Sequence, residues 1–298
     1  MTRHLSGLIA LTFIALPLFA DSGTDAYKNG DYATALKEWQ AAADDGVEEA
    51  QYNLGLLYSR GLGVPQDFAK AAEYYRQAAE QGNVDAEYNL GVLYSQGKGV
   101  TKDTDEAIKW FRQAADASDV NAAHSLGDLY YDNKQYEEAR EWYEIAAEGG
   151  VADAEFGLGL MYDLGQGLPV DYDRALKYYQ QAAEQGSASA LCNMAVLYYN
   201  GQGVPVNREI AHRYFLIASR MGEERAKNLI KLTTEKLKPE DIEKAQEESE
   251  VWIAAHPAKY EPAPEPLNVF SPKQKKKKKN AKTVAITTTS WSETPRTD

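Results

Sequence analysis

The sequence predicts an all-α fold, a solenoid of stacked helix pairs, and three observations carry that prediction. A block recurs from Ala50, Ala86, Ala122, Ala154 and Ala190, in steps of 36, 36, 32 and 36 residues. Inside each block, apolar residues return at i, i+3, i+4, i+7 and i+8, the spacing of one face of a helix. Glycines and capping residues bracket these runs where helices would begin and end. Repetition at this period means units that cannot bury both faces alone and must stack on neighbours.

Residues 1–20 read as an export signal. Arg3 and His4 give a short basic start, and an apolar run from Leu8 to Phe19, broken by Pro17, follows. Ala20 offers a small residue for cleavage before Asp21, with Leu18 at the looser third position. The run is too short for a membrane-spanning helix, which needs about 20 apolar residues. Asp at position 21, rather than Cys, does not suggest a lipid-anchored form. The expected location is periplasmic, with secretion as the alternative. Cys192 is the only cysteine, so no intrachain disulfide can form and packing must hold the fold.

Residues 24–46 look like a half unit that keeps mainly its second helix. Full repeats follow at 47–82, 83–118, 119–150, 151–186 and 187–222. In the first helix, Ala86, Leu90, Gly91, Leu93 and Tyr94 form an apolar face, matched by Ala50, Leu54, Gly55, Leu57 and Tyr58. Glycine inside a helix costs roughly 1 kcal/mol relative to alanine. It nevertheless recurs as Gly127 and Gly159, with Ala195 in the last repeat, which predicts a close approach there. The second helix carries Ala107, Trp110, Phe111, Ala114 and Ala115, matched by Ala71, Tyr74, Tyr75, Ala78 and Ala79 and by Ala175, Tyr178, Tyr179, Ala182 and Ala183. Tyr94 and Trp110 are therefore expected between helices. Gly97 and Gly99 suit a left-handed loop, and Asp67, Asp103 and Asp171 suit N-caps, with Glu106 able to complete a capping box. Gly82, Gly150, Gly186 and Gly222 stand where second helices end.

Residues 223–256 read as a closing cap, in which Pro239 opens a helix with Ile242, Ala245, Val251 and Trp252 on its apolar side. From Pro257 five prolines precede the run KQKKKKKNAK at 273–282 and a Thr/Ser-rich end, a composition that predicts a disordered tail. The chain has 298 residues and a formal net charge of −13; with +5 in residues 257–298 and +1 in residues 1–20, the body 21–256 carries −19. So acidic a body repels phosphate backbones, which argues against nucleic-acid binding. The lysine run is a solvated tail or an electrostatic tether to anionic lipid, to cell-wall polymer or to the acidic body.

No catalytic grouping and no cofactor or metal site stands out. His124 and Cys192 occupy one repeat position, held elsewhere by Tyr52, Tyr88 and Phe156, and read as helix-face fillers rather than a nucleophile pair. His212 is expected to be partly exposed. The G-x-G-V loops lack a following Lys-Ser/Thr and read as turns, not phosphate cradles.

Counting the repeat alanine as zero, positions 3, 6 and 10 of the first helix cluster away from the recurrent apolar face. They read Asn53, Leu56 and Arg60; Asn89, Val92 and Gln96; Ser125 and Asp128; Gly157, Leu160 and Leu164; and Asn193, Val196 and Asn200. This stripe is the candidate partner-binding face, or else a set of caps and inter-repeat contacts. Asn can both donate to and accept from an extended backbone, and Leu or Val beside it adds apolar contact.

The recurring glycines, Tyr, Asp and paired alanines resemble the Sel1-like repeat family, a relative of the tetratricopeptide repeat. The family pattern is close to A-x-x-x-L-G-x-x-Y-x-x-G-x-G-V-x-x-D, then K-A-x-x-x-Y-x-x-A-A-x-x-G. It covers 47–222 in full and 24–46 in part. The repeat 119–150 departs from it, with Asp132-Asn133-Lys134-Gln135 in place of the loop and a tetratricopeptide-like length. The resemblance implies a right-handed α/α superhelix whose first helices line the concave surface, and a scaffold that binds a protein or peptide. Bacterial exported members look like partner-binding or signalling adaptors. Cysteine-rich members are associated with β-lactam binding or hydrolysis, but their paired cysteines are missing here. An envelope hydrolase of that type and a secreted host- or surface-binding effector are the alternatives.

Overall fold

The computed structural model describes residues 16–256, and all fourteen of its helices are α-helices, with no strand among the described residues. The lysine run and the rest of the predicted tail lie outside them, as do residues 1–15. The chain divides into two units, at Ala117 and Ser118. Unit 1 holds α1 (Leu16–Lys28), α2 (Tyr32–Asp44), α3 (Glu48–Arg60), α4 (Phe68–Ala79), α5 (Val84–Gln96) and α6 (Thr104–Asp116). Unit 2 holds α7 (Val120–Asp132), α8 (Tyr136–Glu148), α9 (Ala152–Leu164), α10 (Tyr172–Glu184), α11 (Ala188–Asn200), α12 (Arg208–Arg220), α13 (Glu224–Thr234) and α14 (Pro239–Ala255). Within each unit every helix up to α13 packs on the next in sequence, as a repeat solenoid requires, and α14 folds back to pack on α12. No described helix is long and apolar enough to cross a membrane.

Local chemistry explains the helix boundaries. The first helices α3, α5, α9 and α11 end on Gly61, Gly97, Gly165 and Gly201, each left-handed. Asp67, Asp103 and Asp171 then cap the second helices by accepting from backbone N–H groups in the first turn. Glu106 does not complete a capping box. The Asp103 N–H donates to the Tyr94 carbonyl at 3.0 Å, while Glu106 accepts from the Trp110 indole N–H at 3.1 Å.

The repeated glycine marks a close approach, as expected. A Cβ on Gly55 would lie 2.6 Å from the Tyr75 ring, on Gly91 2.7 Å from Phe111, on Gly127 2.4 Å from Tyr143 and on Gly159 2.5 Å from Tyr179. Each second-helix ring therefore lies flush on the backbone of its own first helix. Trp110 is buried, and Tyr94 is half-buried against the same core cluster.

Two expectations about the ends need correction. The stretch 24–46 is not a half unit: α1 supplies its first helix, and Gly23 sits under Trp39, where a Cβ would lie 2.5 Å from the indole nitrogen. Gly23 and Trp39 are as far apart in sequence as Gly127 and Tyr143, so the first pair has the short repeat length. The helix α1 also spans the expected cleavage point before Asp21. At the other end Pro239 opens α14, Ala245 is buried and Trp252 packs on the core, but Val251 is 70% exposed. Val251 is adjacent to Trp252 in a helix and so points about 100° away from it.

Candidate partner-binding face

The stripe at positions 3, 6 and 10 differs between the two units. In unit 1, Asn53, Leu56, Arg60, Asn89 and Val92 are half-buried and Gln96 is exposed, so α3 and α5 present it to solvent. The Asn89 amide donates to its own helix at the Asp85 carbonyl (2.7 Å), and Arg60 donates to the Tyr27 hydroxyl of α1 (2.9 Å). These bonds fix the polar groups without covering Leu56 and Val92.

In unit 2 most of the stripe is structural. Leu160, Asn193 and Val196 are buried, at 1%, 0% and 0% exposure, and leave the candidate surface. Leu164 packs against the core, and Gly157 is buried beside the Tyr143 ring. Ser125 is half-buried, and exposed Asn200 donates to the Gln202 side chain at 2.9 Å. Half-buried Asp128 accepts from the Tyr143 hydroxyl at 2.8 Å, with His124 Nε2 at 3.6 Å from the same oxygen. Loss of water pushes the Asp128 carboxyl up, against the pull of His124 and the Tyr143 hydroxyl.

At Asn193 the physical cause is a polar network that sequence reasoning missed. The Tyr179 ring crosses the Gly159 backbone, and its hydroxyl donates to Asp163 at 2.9 Å. Asn193 donates to the same hydroxyl at 3.1 Å, and Arg225 of α13 donates to the Asn193 side-chain oxygen. Burial, then the Asp163 charge, drives the Tyr179 phenol well above its ordinary value. Buried polar groups that satisfy one another hold α9, α10, α11 and α13 in one arrangement. The position after the repeat alanine, also missed, is buried as Gln51, Glu87 and Glu155. Gln81 donates to Gln51 and Gln185 to Glu155, both at 2.7 Å.

Cys192 is buried, its thiol pushed up to about 11 by lost water, with the Arg225 guanidinium nitrogen 3.4 Å away. A thiol held protonated is a poor nucleophile. His124 lies against the Tyr143 ring at 5.9 Å between centroids, so both residues fill a helix-face slot. His212 is not partly exposed: it is 1% exposed, because α13 covers this face of α12. Among the described residues, no group of three or more His, Cys, Asp or Glu could hold a metal ion.

A family model for the Sel1 repeat matches residues 48–83, 84–119, 152–187 and 188–223, and one for the tetratricopeptide repeat matches 21–61 and 103–155. The second tetratricopeptide match contains the short pair α7 and α8, and the first covers α2 and most of α1. The chain is 32% identical to a Sel1 repeat protein from Oxalobacter formigenes, with a TM-score of 0.68, covering 78% of this chain and 99% of that one. It is 29% identical to a protective antigen present in uropathogenic Escherichia coli strains displaying an SLR fold, with a TM-score of 0.74, over 90% of this chain and 57% of the antigen. DAP3-binding cell death enhancer 1 of Rattus norvegicus is 42% identical over 64 residues, 22% of this chain and 11% of that protein. The chain thus spans about a tenth of the length of the curated relatives it matches.

Proposed function

The chain belongs to the Sel1 repeat family, whose fold is that of a protein–protein interaction scaffold, and on that premise we propose that it is an exported adaptor that binds a protein or peptide along α3 and α5. The observation that carries this reading is the half-buried row Asn53, Leu56, Asn89 and Val92, an asparagine and an aliphatic side chain at the same two positions of successive repeats. Such a row offers hydrogen bonds to an extended backbone and an apolar strip for its side chains. In unit 2 Leu160, Asn193 and Val196 are buried in packing, so we centre the partner surface on unit 1. Family resemblance also favours binding over catalysis, and the Cys192 environment gives no activated nucleophile.

Export rests on the basic start, the apolar run and Ala20. N-terminal sequencing of protein from the native host should show a mature chain beginning at Asp21; a chain still beginning at Met1 overturns it. Binding is tested by affinity capture from cell envelope with parent and Val92→Glu baits, followed by calorimetry on the captured partner. A partner held by the parent and lost by Val92→Glu, with unchanged thermal melts, supports the reading. Equal capture by both baits removes this face from it.

A second reading, a secreted or surface-exposed factor, is favoured by the likeness to the Escherichia coli protective antigen. Recovery of the protein from culture medium rather than from periplasmic extract decides between the two. The lysine run at 273–282 would add an electrostatic contact with anionic lipid or cell-wall polymer in either setting.

A further inference from the structure

The buried ionisable group that partner binding leaves unused is His212, at the seam between the last repeat and the cap. Its Nδ1 lies 2.6 Å from Thr233 Oγ1 of α13, and that hydroxyl has a carbonyl acceptor, Ile230 O, at 2.8 Å. A hydroxyl has one hydrogen. With that hydrogen on Ile230, Thr233 accepts, so Nδ1 carries the ring hydrogen of the neutral imidazole. Nε2 is then the lone-pair nitrogen, and it is buried with no hydrogen-bond partner. A second proton would place a charge and a donor where nothing accepts it.

We propose that His212 is an acid-sensitive latch: its neutral ring holds α13 on α12, and protonation releases α13 from the end of the last repeat, while α14 keeps its own contacts with α12. Besides this contact α13 is held by a modest apolar one, with Leu229 and Ala226 buried and Ile230 and Leu232 partly so. Burial pushes the His212 pKa below its ordinary value.

The surrounding charges do not replace the latch. The α11 segment has no charged side chain. On α13, Lys227 and Lys231 are exposed and Arg225 is turned to Asn193 and Cys192. On α14, Lys244 pairs with Glu209, Glu248 with Arg213 and Glu250 with Arg220, all across to α12, while Glu243 and Glu247 are exposed. Exposed carboxylates titrate near pH 4, below the range that matters here. His256, a second imidazole near the cap, stacks on Trp252 with centroids 4.2 Å apart and needs its own control.

The direction follows from linkage. In the open cap His212 has the ordinary pKa of about 6.5. Its closed-state value is lower, so the latch holds fully above pH 6.5 and weakens as pH falls from there toward the closed-state value. Between pH 7.5 and 5.5 the opening constant should rise by up to about tenfold.

Hydrogen exchange on the full chain at pH 7.5, 6.5 and 5.5, corrected for intrinsic rates, measures that constant in α13, with α3–α6 as internal reference. The parent and His256→Gln should show the rise in α13 and not in α3–α6. His212→Asn, whose amide can donate to Thr233 without a titrating nitrogen, should stay within about twofold. The same rise in His212→Asn, or no rise in the parent, overturns the proposal. If His212→Asn does not fold, an NMR titration of the parent's histidine rings decides: a His212 midpoint at or above 6.5 overturns the latch, and one below it sustains the latch.

Discussion

Glycine at the fifth position after the repeat alanine was legible as a cost without a visible return, and the structure supplies the return. Gly127 leaves 2.4 Å between a would-be Cβ and the Tyr143 ring, so Gly127→Ala must push a ring already bonded to Asp128. Overpacking of this kind costs about 1–3 kcal/mol, and denaturant melts should show a loss in that range. Asn53→Ala, at a half-buried position on α3 outside its packing face, should stay within about 0.5 kcal/mol. Trp110→Ala should cost about 3–5 kcal/mol, since it empties a buried ring site and strands the Glu106 contact. A Trp110→Ala loss under 1 kcal/mol would contradict the packing scheme. What could not be read at this scale was pairing over distance. Arg225 and Asn193 sit 32 residues apart, and no local pattern joins them.

At the scale of the element, the helix wheel identified the packing face of the first helix in each of the five full repeats, because an i, i+4, i+7, i+8 face is a property of one helix. It could not say whether the remaining face met solvent. On α5 the face is open, with Asn89 and Val92 half-buried; on α11 the same positions, Asn193 and Val196, are closed by packing and by Arg225. The two helices therefore respond differently to one substitution. Val92→Glu should leave the thermal melt nearly unchanged and weaken partner binding, because the charge is buried only in the complex. Val196→Glu should destabilise the fold by about 3–5 kcal/mol, since the charge lies unpaired in the core. Paired melts and calorimetry read both. Glu73, exposed on the second helix α4, is the control whose loss should change neither. If Val196→Glu melts like the parent, the burial of α11 is wrong and the stripe extends into unit 2. The first helix of the N-terminal pair was invisible for a related reason: its apolar residues overlap the run that reads as an export signal, and only Gly23 under Trp39 marks it as a repeat helix.

For the whole molecule, charge is divided more sharply than fold. The body 21–256 carries −19 and residues 257–298 carry +5, most of it from the lysines between 273 and 282. The cap α14 ends at Ala255, and its Trp252 packs on the core of unit 2, so the last repeat is covered before the lysine-rich sequence starts. Deleting 257–298 should therefore leave the helical circular-dichroism signal and the melting temperature nearly unchanged. The same deletion should weaken binding to vesicles containing anionic lipid, because each lysine near such a surface contributes about 1 kcal/mol and the acidic body opposes approach. Parent binding should fall steeply as salt rises from about 0.01 to 0.15 M, where the screening length shrinks from roughly 30 to 8 Å. Sedimentation with vesicles of neutral and of anionic composition measures this directly. Binding that survives the deletion would move the lipid contact to the solenoid. A large fall in melting temperature on deletion would mean that these residues pack on the body, with the lysine run neutralising its acidic face rather than reaching outward.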